Sequence, residues 1–339
     1  MSVPLLIVSL VVLAWLLTAQ LRRYALASSL MDVPNARSSH SLPTPRGGGV
    51  AIVITFLLGL GIAFFAGLGV PAEQFYALLG AGLGIALLGF IDDHAHIAAR
   101  WRLLGHFLAA AWALYWLGGM PPLAAFGGVL HLSWIGHLLA AFYLVWLLNL
   151  YNFMDGIDGI ASVEAICVCL GGAILYGLLG SSLVDELPLL MLAAAVLGFL
   201  IWNFPPARIF MGDAGSGFLG IVLGILSLQA AWVSPALLWG WLILLGVFIV
   251  DATLTLLRRL LRGEKVYEAH RSHAYQYASR RYGTHLRVTL AVIAINIFWL
   301  LPLALWVGLG GIDGGWGLAI AYAPLVALAI KYRAGESEV

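Results

Sequence analysis

Long apolar stretches separated by short polar connections run along the whole 339-residue chain. Each is on the order of 17–25 residues, the length a helix needs to cross a hydrocarbon core about 30 Å thick. The pattern predicts eleven helices, at 3–20, 47–69, 75–91, 103–120, 134–150, 159–180, 187–203, 216–232, 236–257, 287–307 and 316–331. The expected fold is an all-α polytopic integral membrane protein. The first stretch, Pro4 to Leu17, has no positive segment before it, and Arg22 and Arg23 follow it. It reads as a retained helix with its N-terminus outside, not a cleaved signal. Between helices, 121–133 contains Gly127-Gly128-Val-Leu-His-Leu-Ser133, whose weak alternation suggests a small hairpin at the headgroup level. With no soluble domain, low-complexity linker or strong repeat, residues 1–339 form a single membrane domain.

Charge then orients the helices. All 17 Lys and Arg residues fall in the connections near 21–46, 92–102, 204–215 and 258–287 and in the C-terminal tail. Alternation puts these, with 151–158, on one side. The opposite connections carry Glu73, Asp185, Glu186 and Asp313 and no basic residue. By the positive-inside rule the basic side is cytoplasmic, with the C-terminus there too. An even helix count breaks this pattern. Composition agrees, with 62% apolar and 10% charged residues and a mean hydropathy of +0.99. The net charge of +1 says little, because charge is segregated by side. Basic residues share their loops with acidic ones, which argues against a nucleic-acid partner. Cys167 and Cys169, two apart in an apolar run, read as small buried hydrophobes; a disulfide at that spacing is strained.

Five segments on the basic side carry candidate chemistry. Asp32–Gly49, DVPNARSSHSLPTPRGGG, is a shaped loop presenting Asn35, Arg37, His40 and Arg46, donors suited to phosphate or sugar oxygens. Gly47–Gly49 sits where the chain re-enters the membrane and allows close backbone approach to a ligand. Asp92-Asp93-His94 ends an apolar helix, where paired carboxylates oppose the dipole and need a metal, or Arg100 and Arg102. The blander alternative makes Asp93 an N-cap. NLYNFMDGIDG, Asn149–Gly159, has no basic residue, and a helical turn puts Asp155 and Asp158 on one face. In NFPPARIFMGDAGSG, Asp213 precedes a helix whose glycine-rich start either is capped by Asp213 or offers amides to an anion. The stretch from Arg258 to Gln276 includes Lys265, His270, Arg271 and His273; its two histidines share a face if helical, and Asp251 faces Arg258 across two turns. Much of its basic excess is topogenic. Carboxylates on three loops with Asn, His and Arg suggest an oxygen-ligated Mg²⁺ or Mn²⁺ and phosphate substrates. Zinc is disfavoured, with no cysteine ligand and no tight histidine pair beyond HRSH.

In succession between membrane helices, DD, NFMDGIDG and FMGDAGS resemble the polyprenyl-phosphate N-acetylhexosamine-1-phosphate transferase family. The resemblance runs from DVPNARSSH through HRSHAYQ, and the RSSH–PTPRGGG loop and the AHRSHAYQ segment are similar to the subgroup that starts O-antigen and related lipopolysaccharide chains in Gram-negative bacteria. It implies transfer of sugar-1-phosphate from a UDP-N-acetylhexosamine to undecaprenyl phosphate in the inner membrane, with Mg²⁺ and a homodimer as expected partners. It further implies that Asp92 and Asp93 lie beside the lipid phosphate and that Asp213 binds metal. Asn152, Asp155 and Asp158 match positions near the nucleotide and metal, Phe210 one near the uracil, and His270 and His273 one at the donor diphosphate. Asp92, Asp93, Asp158 and the two histidines are thus the expected catalytic set, with Asp213, Asp158 and Asn152 as metal ligands. The chain departs from the pattern twice: His96 replaces a lysine, leaving Arg100 or Arg102 for the phosphate, and Arg271-Ser272 interrupts the histidine run. Donor choice among GlcNAc, GalNAc, QuiNAc and FucNAc turns on single hydroxyls, with the selecting contacts expected in 258–287. The rival is a lipid or sugar transporter or flippase, which needs ionisable residues at mid-membrane and broken helices in paired halves.

Overall fold

The computed structural model describes residues 2–34, 42–95, 97–125, 127–181, 183–264 and 270–336. Among them are fourteen α-helices and two short antiparallel strand pairs. The helices are α1 (Val3–Ala27), α2 (Val50–Phe65), α3 (Ala72–Ala95), α4 (Ala99–Leu117), α5 (Ser133–Met154), α6 (Ile160–Leu178) and α7 (Leu183–Asn203). They continue with α8 (Asp213–Val233), α9 (Pro235–Leu244), α10 (Gly246–Leu261), α11 (Ala274–Tyr282), α12 (His285–Ile295), α13 (Leu301–Gly308) and α14 (Gly314–Lys331).

All eleven apolar segments are helical, two of them in more than one piece. Among the described residues, eight units are long and apolar enough to cross a membrane, or nine if the bent pair α9 and α10 is one span: α1, α3, α5, α6, α7, α8, α14 and the stretch His285–Gly308 are the eight. The chain is an all-α polytopic membrane protein. α2 is apolar but only 16 residues long, and α4 carries Arg100, Arg102 and His106 in its first turns. The segment expected as one helix over 236–257 is instead broken between α9 and α10 by a 71° bend. Gly246 opens α10, whose Asp251, Arg258 and Arg259 give it a polar face that a continuous span would hold in hydrocarbon. Likewise 287–307 contains a π-helical turn, Asn296–Leu300. Pro302, just beyond it, has no N–H to continue the helical ladder.

α8 is the central post, buried from Ala214 to Ala231 along nearly every face, with α3 and α5 against it. α1 and α6 both pack on α7. The expected hairpin is present as β3 (Leu123–Ala125) with β4 (Gly128–Leu130). At the opposite end β1 (Met31–Asp32) pairs with β2 (Thr44–Pro45). Asn35, Arg37 and His40, between those strands, lie outside the described residues. Both cysteines are free thiols.

Candidate active site

Asp92 and Asp93 occupy the last turn of α3. Gly89, one turn earlier, lets this end lie against α8: a Cβ there would stand 2.7 Å from the Asp213 carbonyl oxygen. Asp93 thereby faces the Asp213 amide at 3.4 Å, so a carboxylate meets the positive end of the α8 dipole. Gly212 is the N-cap, and Asp213 is the first residue of α8 with its side chain free of capping. Arg46 pairs with Asp93 and reaches Asp213 at 3.4 Å. Burial weakens the Arg46 charge, but Asp93, Asp213 and Asp32 outweigh it and hold the guanidinium protonated above its usual range.

The glycine run after Arg46 lets two backbone segments of the chain lie against each other. Gly48 and Gly49 donate to the Phe210 and Met211 carbonyls at 2.9 Å each. A Cβ on Gly49 would stand 2.5 Å from the Gly215 Cα, so only a bare backbone fits. Asp92 accepts the Ile97 amide at 2.7 Å and Arg102 at 2.5 Å. Asp93 is therefore not a cap, and α4 starts with no side-chain cap. Of the two candidate arginines, Arg102 lines the cavity beside Asp92, while Arg100 lies over the Trp101 ring at 5.5 Å.

α5 ends at Met154, and residues 155–159 form a turn with Gly159 at φ +75°. The expected helical turn with Asp155 and Asp158 on one face is absent, and the two acids part. Asp155 is half-buried; burial and Asp213, with Asp93 and Asp158 adding and Arg46 opposing, push its carboxyl up to about 7. Asp158 turns to the far side. Its carboxylate lies 3.1 Å from His285 Nδ1 and accepts the Ala207 amide at 2.9 Å, and its carbonyl accepts the Thr289 hydroxyl at 2.9 Å. Asn152 donates to Ser216 Oγ at 3.1 Å.

Two cavities flank this turn. One, of about 180 Å³, has apolar walls from Leu88, Leu103, Leu148 and Phe153 and a polar end of Asp92, Arg102, His106, Asn149, Asn152 and Asp213. The other, of about 530 Å³, is lined by Phe210, Asp158, Thr44, Pro205, Pro206, Arg280, Thr284 and His285. No local pattern marks Arg280 or His285, because their importance arises only where α11 and α12 fold back on the turn.

The 258–287 connection contains α11. His270 and His273 do not share a helix face: 270–272 is irregular and His273 is the N-cap residue. Their rings stack at 4.9 Å. His273 is 2% exposed, with Nδ1 3.3 Å from Asp251. Asp251 also accepts the Ala274 and Tyr275 amides at 3.0 Å each, so it holds the start of α11 and does not face Arg258. Arg258 instead donates to the Ala334 carbonyl at 2.9 Å. His270 contacts Ser272 Oγ at 2.9 Å, and burial, His273 and Arg259 push its imidazole down to about 3, which keeps it neutral. The Arg271 carbonyl accepts Arg280. Tyr275 donates to the Phe153 carbonyl at 3.0 Å, which ties α11 to the end of α5 beside Asp155.

No three His, Cys, Asp or Glu side chains among the described residues converge closely enough to chelate a metal. Arg46 is the counterion between Asp93 and Asp213. The donors left around it, Asp155, Asp213 and Asn152, are all hard oxygens, and a carboxyl held near 7 beside a second carboxylate is chemistry that a divalent cation suits.

Fold and site together define a polytopic membrane protein whose acidic and basic groups gather at one end of the helix bundle, over an apolar-walled cavity. The description "Glycosyl transferase family 4" matches residues 75–231. The chain belongs to this family and is a membrane transferase. It is 30% identical to the "probable undecaprenyl-phosphate N-acetylglucosaminyl 1-phosphate transferase" of Bacillus subtilis, over 82% of this chain and 77% of that protein. It is 29% identical to the decaprenyl-phosphate N-acetylglucosaminephosphotransferase of Mycobacterium tuberculosis, over 88% and 78%. It is 36% identical to the phospho-N-acetylmuramoyl-pentapeptide-transferase of Moorella thermoacetica, over 55% and 61%.

Proposed function

We propose that the chain transfers N-acetylhexosamine-1-phosphate from a UDP-sugar to undecaprenyl phosphate, releasing UMP and forming the lipid-diphosphate-sugar that initiates O-antigen or a related envelope glycan. The observation that carries this reading is a pair of unlike cavities beside the same short segment, one lined by Asn152 and Phe153 and the other by Asp158. The apolar-walled one, with Arg102 and Asp92 at its polar end, suits a lipid phosphate. The polar one, with Phe210 as an aromatic face and Asp158 and His285 at its edge, suits the nucleotide. The activities named for the relatives support a polyprenyl phosphate as the acceptor and an N-acetylhexosamine phosphate as the group transferred.

In this reading a lipid phosphate oxygen attacks the sugar-linked phosphorus in line. The new P–O bond forms as the bond between the two donor phosphates breaks, and its electron pair leaves with UMP. Arg46 and Arg102 hold phosphate oxygens, and Asp93 and Asp92 fix those guanidiniums in place. A phosphate monoester has a second pKa of about 6, so the acceptor is already largely dianionic and the aspartates position more than they deprotonate. Asp213 and Asn152 would hold Mg²⁺ or Mn²⁺, with Asp155, rather than Asp158, beside them, and the cation would supply charge neutralisation for the transfer. The same reading puts this end of the bundle at the cytoplasmic face of the bacterial inner membrane, with eleven crossings and the N-terminus outside. Incubating membranes with undecaprenyl phosphate and a panel of radiolabelled UDP-N-acetylhexosamines is the test. A lipid product that chelator abolishes is expected from at least one donor; no product from any donor sinks the reading.

A further inference from the structure

Glu164 takes no part in the reaction outlined above, yet it is fully buried within α6, six residues beyond Asp158. An ionisable side chain inside a span is costly and is kept where it has a partner or a task. One carboxyl oxygen accepts the Asn296 amide at 2.7 Å; the other is buried without a hydrogen-bond partner, as is Asn296 Oδ1. Asn296 opens the π-helical turn that follows α12. The Phe248 N–H, in the first turn of α10 just past the 71° bend, faces the same carboxyl. The start of a helix has backbone amides with no partner of their own, and within a bilayer only the protein can satisfy them.

Each of the three elements that meet at Glu164 leads to the site. α6 starts directly after the 155–159 turn. α10 carries Asp251, which holds α11 and through it Tyr275 on the Phe153 carbonyl. α12 carries His285 and Thr289, both bound to Asp158. We infer that Glu164 is a positioning residue: with one oxygen it accepts from Asn296 and with the other it faces the Phe248 N–H, so that it joins the start of α10 to the π turn and fixes the pocket formed by Asp158, His285 and Phe210. In kinetic terms this rests on the assignment of that pocket to the sugar-nucleotide donor. The property required is an acceptor oxygen, not a negative charge. Glu164→Gln keeps one and adds a donor that suits the Asn296 oxygen, whereas Glu164→Leu removes both oxygens.

The full-length protein in lipid nanodiscs tests this with two readouts. For Glu164→Leu the KM for the UDP-sugar rises about tenfold while the KM for undecaprenyl phosphate stays within about twofold, and Glu164→Gln stays near wild type. Equal loss in both variants, or both KM values rising together, overturns the proposal. Hydrogen exchange reads the coupling without catalysis. Exchange rises at 153–159 and 285–289 in Glu164→Leu but not at 50–65, and is unchanged in Glu164→Gln. No change, or a uniform rise across all spans, overturns the proposal, even if no UDP-sugar proves to be a substrate of the wild type. Should Glu164→Leu fail to fold, Asn296→Leu removes the partner and is expected to give the same regional pattern; a wild-type pattern there overturns it too.

Discussion

Asp251→Ala removes the acceptor that holds α11 in place. The wild-type carboxylate receives the Ala274 and Tyr275 amides at 3.0 Å each and the Thr255 hydroxyl at 3.1 Å. A hydrogen bond to a charged group contributes about 1.5–3 kcal/mol. The two amide bonds at the low end of that range give about 3 kcal/mol, and the hydroxyl adds roughly 1 kcal/mol. α11 has nine residues, and isolated helices below about 12–15 residues are marginal in water, so its docking depends on such bonds. Losing about 3–4 kcal/mol raises the local opening of α11 by roughly 10²–10³-fold, at ~1.4 kcal/mol per tenfold. Hydrogen exchange at 274–282 measures that directly. Turnover falls in parallel, because an undocked α11 no longer places the Tyr275 hydroxyl on the Phe153 carbonyl beside Asp155. Asp251→Asn, with one acceptor oxygen left, is expected to fall between. Wild-type exchange at 274–282 in the alanine variant, with turnover retained, refutes the reasoning.

His285→Ala frees the Asp158 carboxylate on one side and opens the larger cavity. It is expected to raise the KM for the UDP-sugar about tenfold with little change in the KM for the lipid; an unchanged donor KM removes His285 from the site. Asp155→Asn is expected to stabilise the metal-free protein at pH 8. A carboxyl raised from 3.8 to about 7 favours its protonated form in the fold, so its ionisation costs stability as pH climbs from about 4 to 7. At about 1.36 kcal/mol per pH unit the ceiling is about 4 kcal/mol, and half-burial brings the expectation to ~2 kcal/mol. Thermal unfolding without divalent cations should show the variant ahead at pH 8 and level with wild type near pH 4; no gain at pH 8 removes the charge-repulsion account.

Much of this was legible in the linear chain, for a physical reason. Crossing a bilayer requires long apolar runs, and carboxylates at the ends of such runs stand out against them. Asp92, Asp93, Asp155 and Asp213 are visible on that ground alone. Their partners are not, because partnership depends on contacts between distant loops. Arg46 reaches Asp93 and Asp213 across 47 and 167 residues. The parting of Asp155 and Asp158 turns on whether five residues stay helical, and Gly159, at φ +75°, lets the chain turn instead. Glu164 sits inside an apolar segment with no neighbour in sequence to explain it, and the neighbour that spacing offers Asp251, Arg258, is not its partner. Their partners, the start of α11 and Asn296, exist only once α10 bends and α12 packs on α6. Glu164 lies in the second turn of α6, and the 71° bend breaks a single pair of helices among the described residues, so neither is the mid-membrane group or the paired broken helices that the transporter alternative requires.

The charge within that site makes a last expectation quantitative. Among the described residues, the carboxylates Asp92, Asp93, Asp155 and Asp213 outnumber Arg46 and Arg102, the arginines that face them. In the proposed metal site a divalent cation would balance two charges and a proton on Asp155 one of them, so proton and metal would compete for the same place. With the carboxyl at about 7, roughly a tenth of Asp155 is ionised at pH 6 and nine tenths at pH 8. The concentration of Mg²⁺ giving half-maximal activity is therefore expected to rise about tenfold from pH 8 to pH 6. In Asp155→Asn that dependence should vanish along with most of the affinity. Measuring Mg²⁺ activation curves at several pH values for both proteins decides it. A wild-type Mg²⁺ requirement that is flat across this range rules out Asp155 as the group the metal displaces a proton from, and leaves Arg46 as the counterion that defines the site.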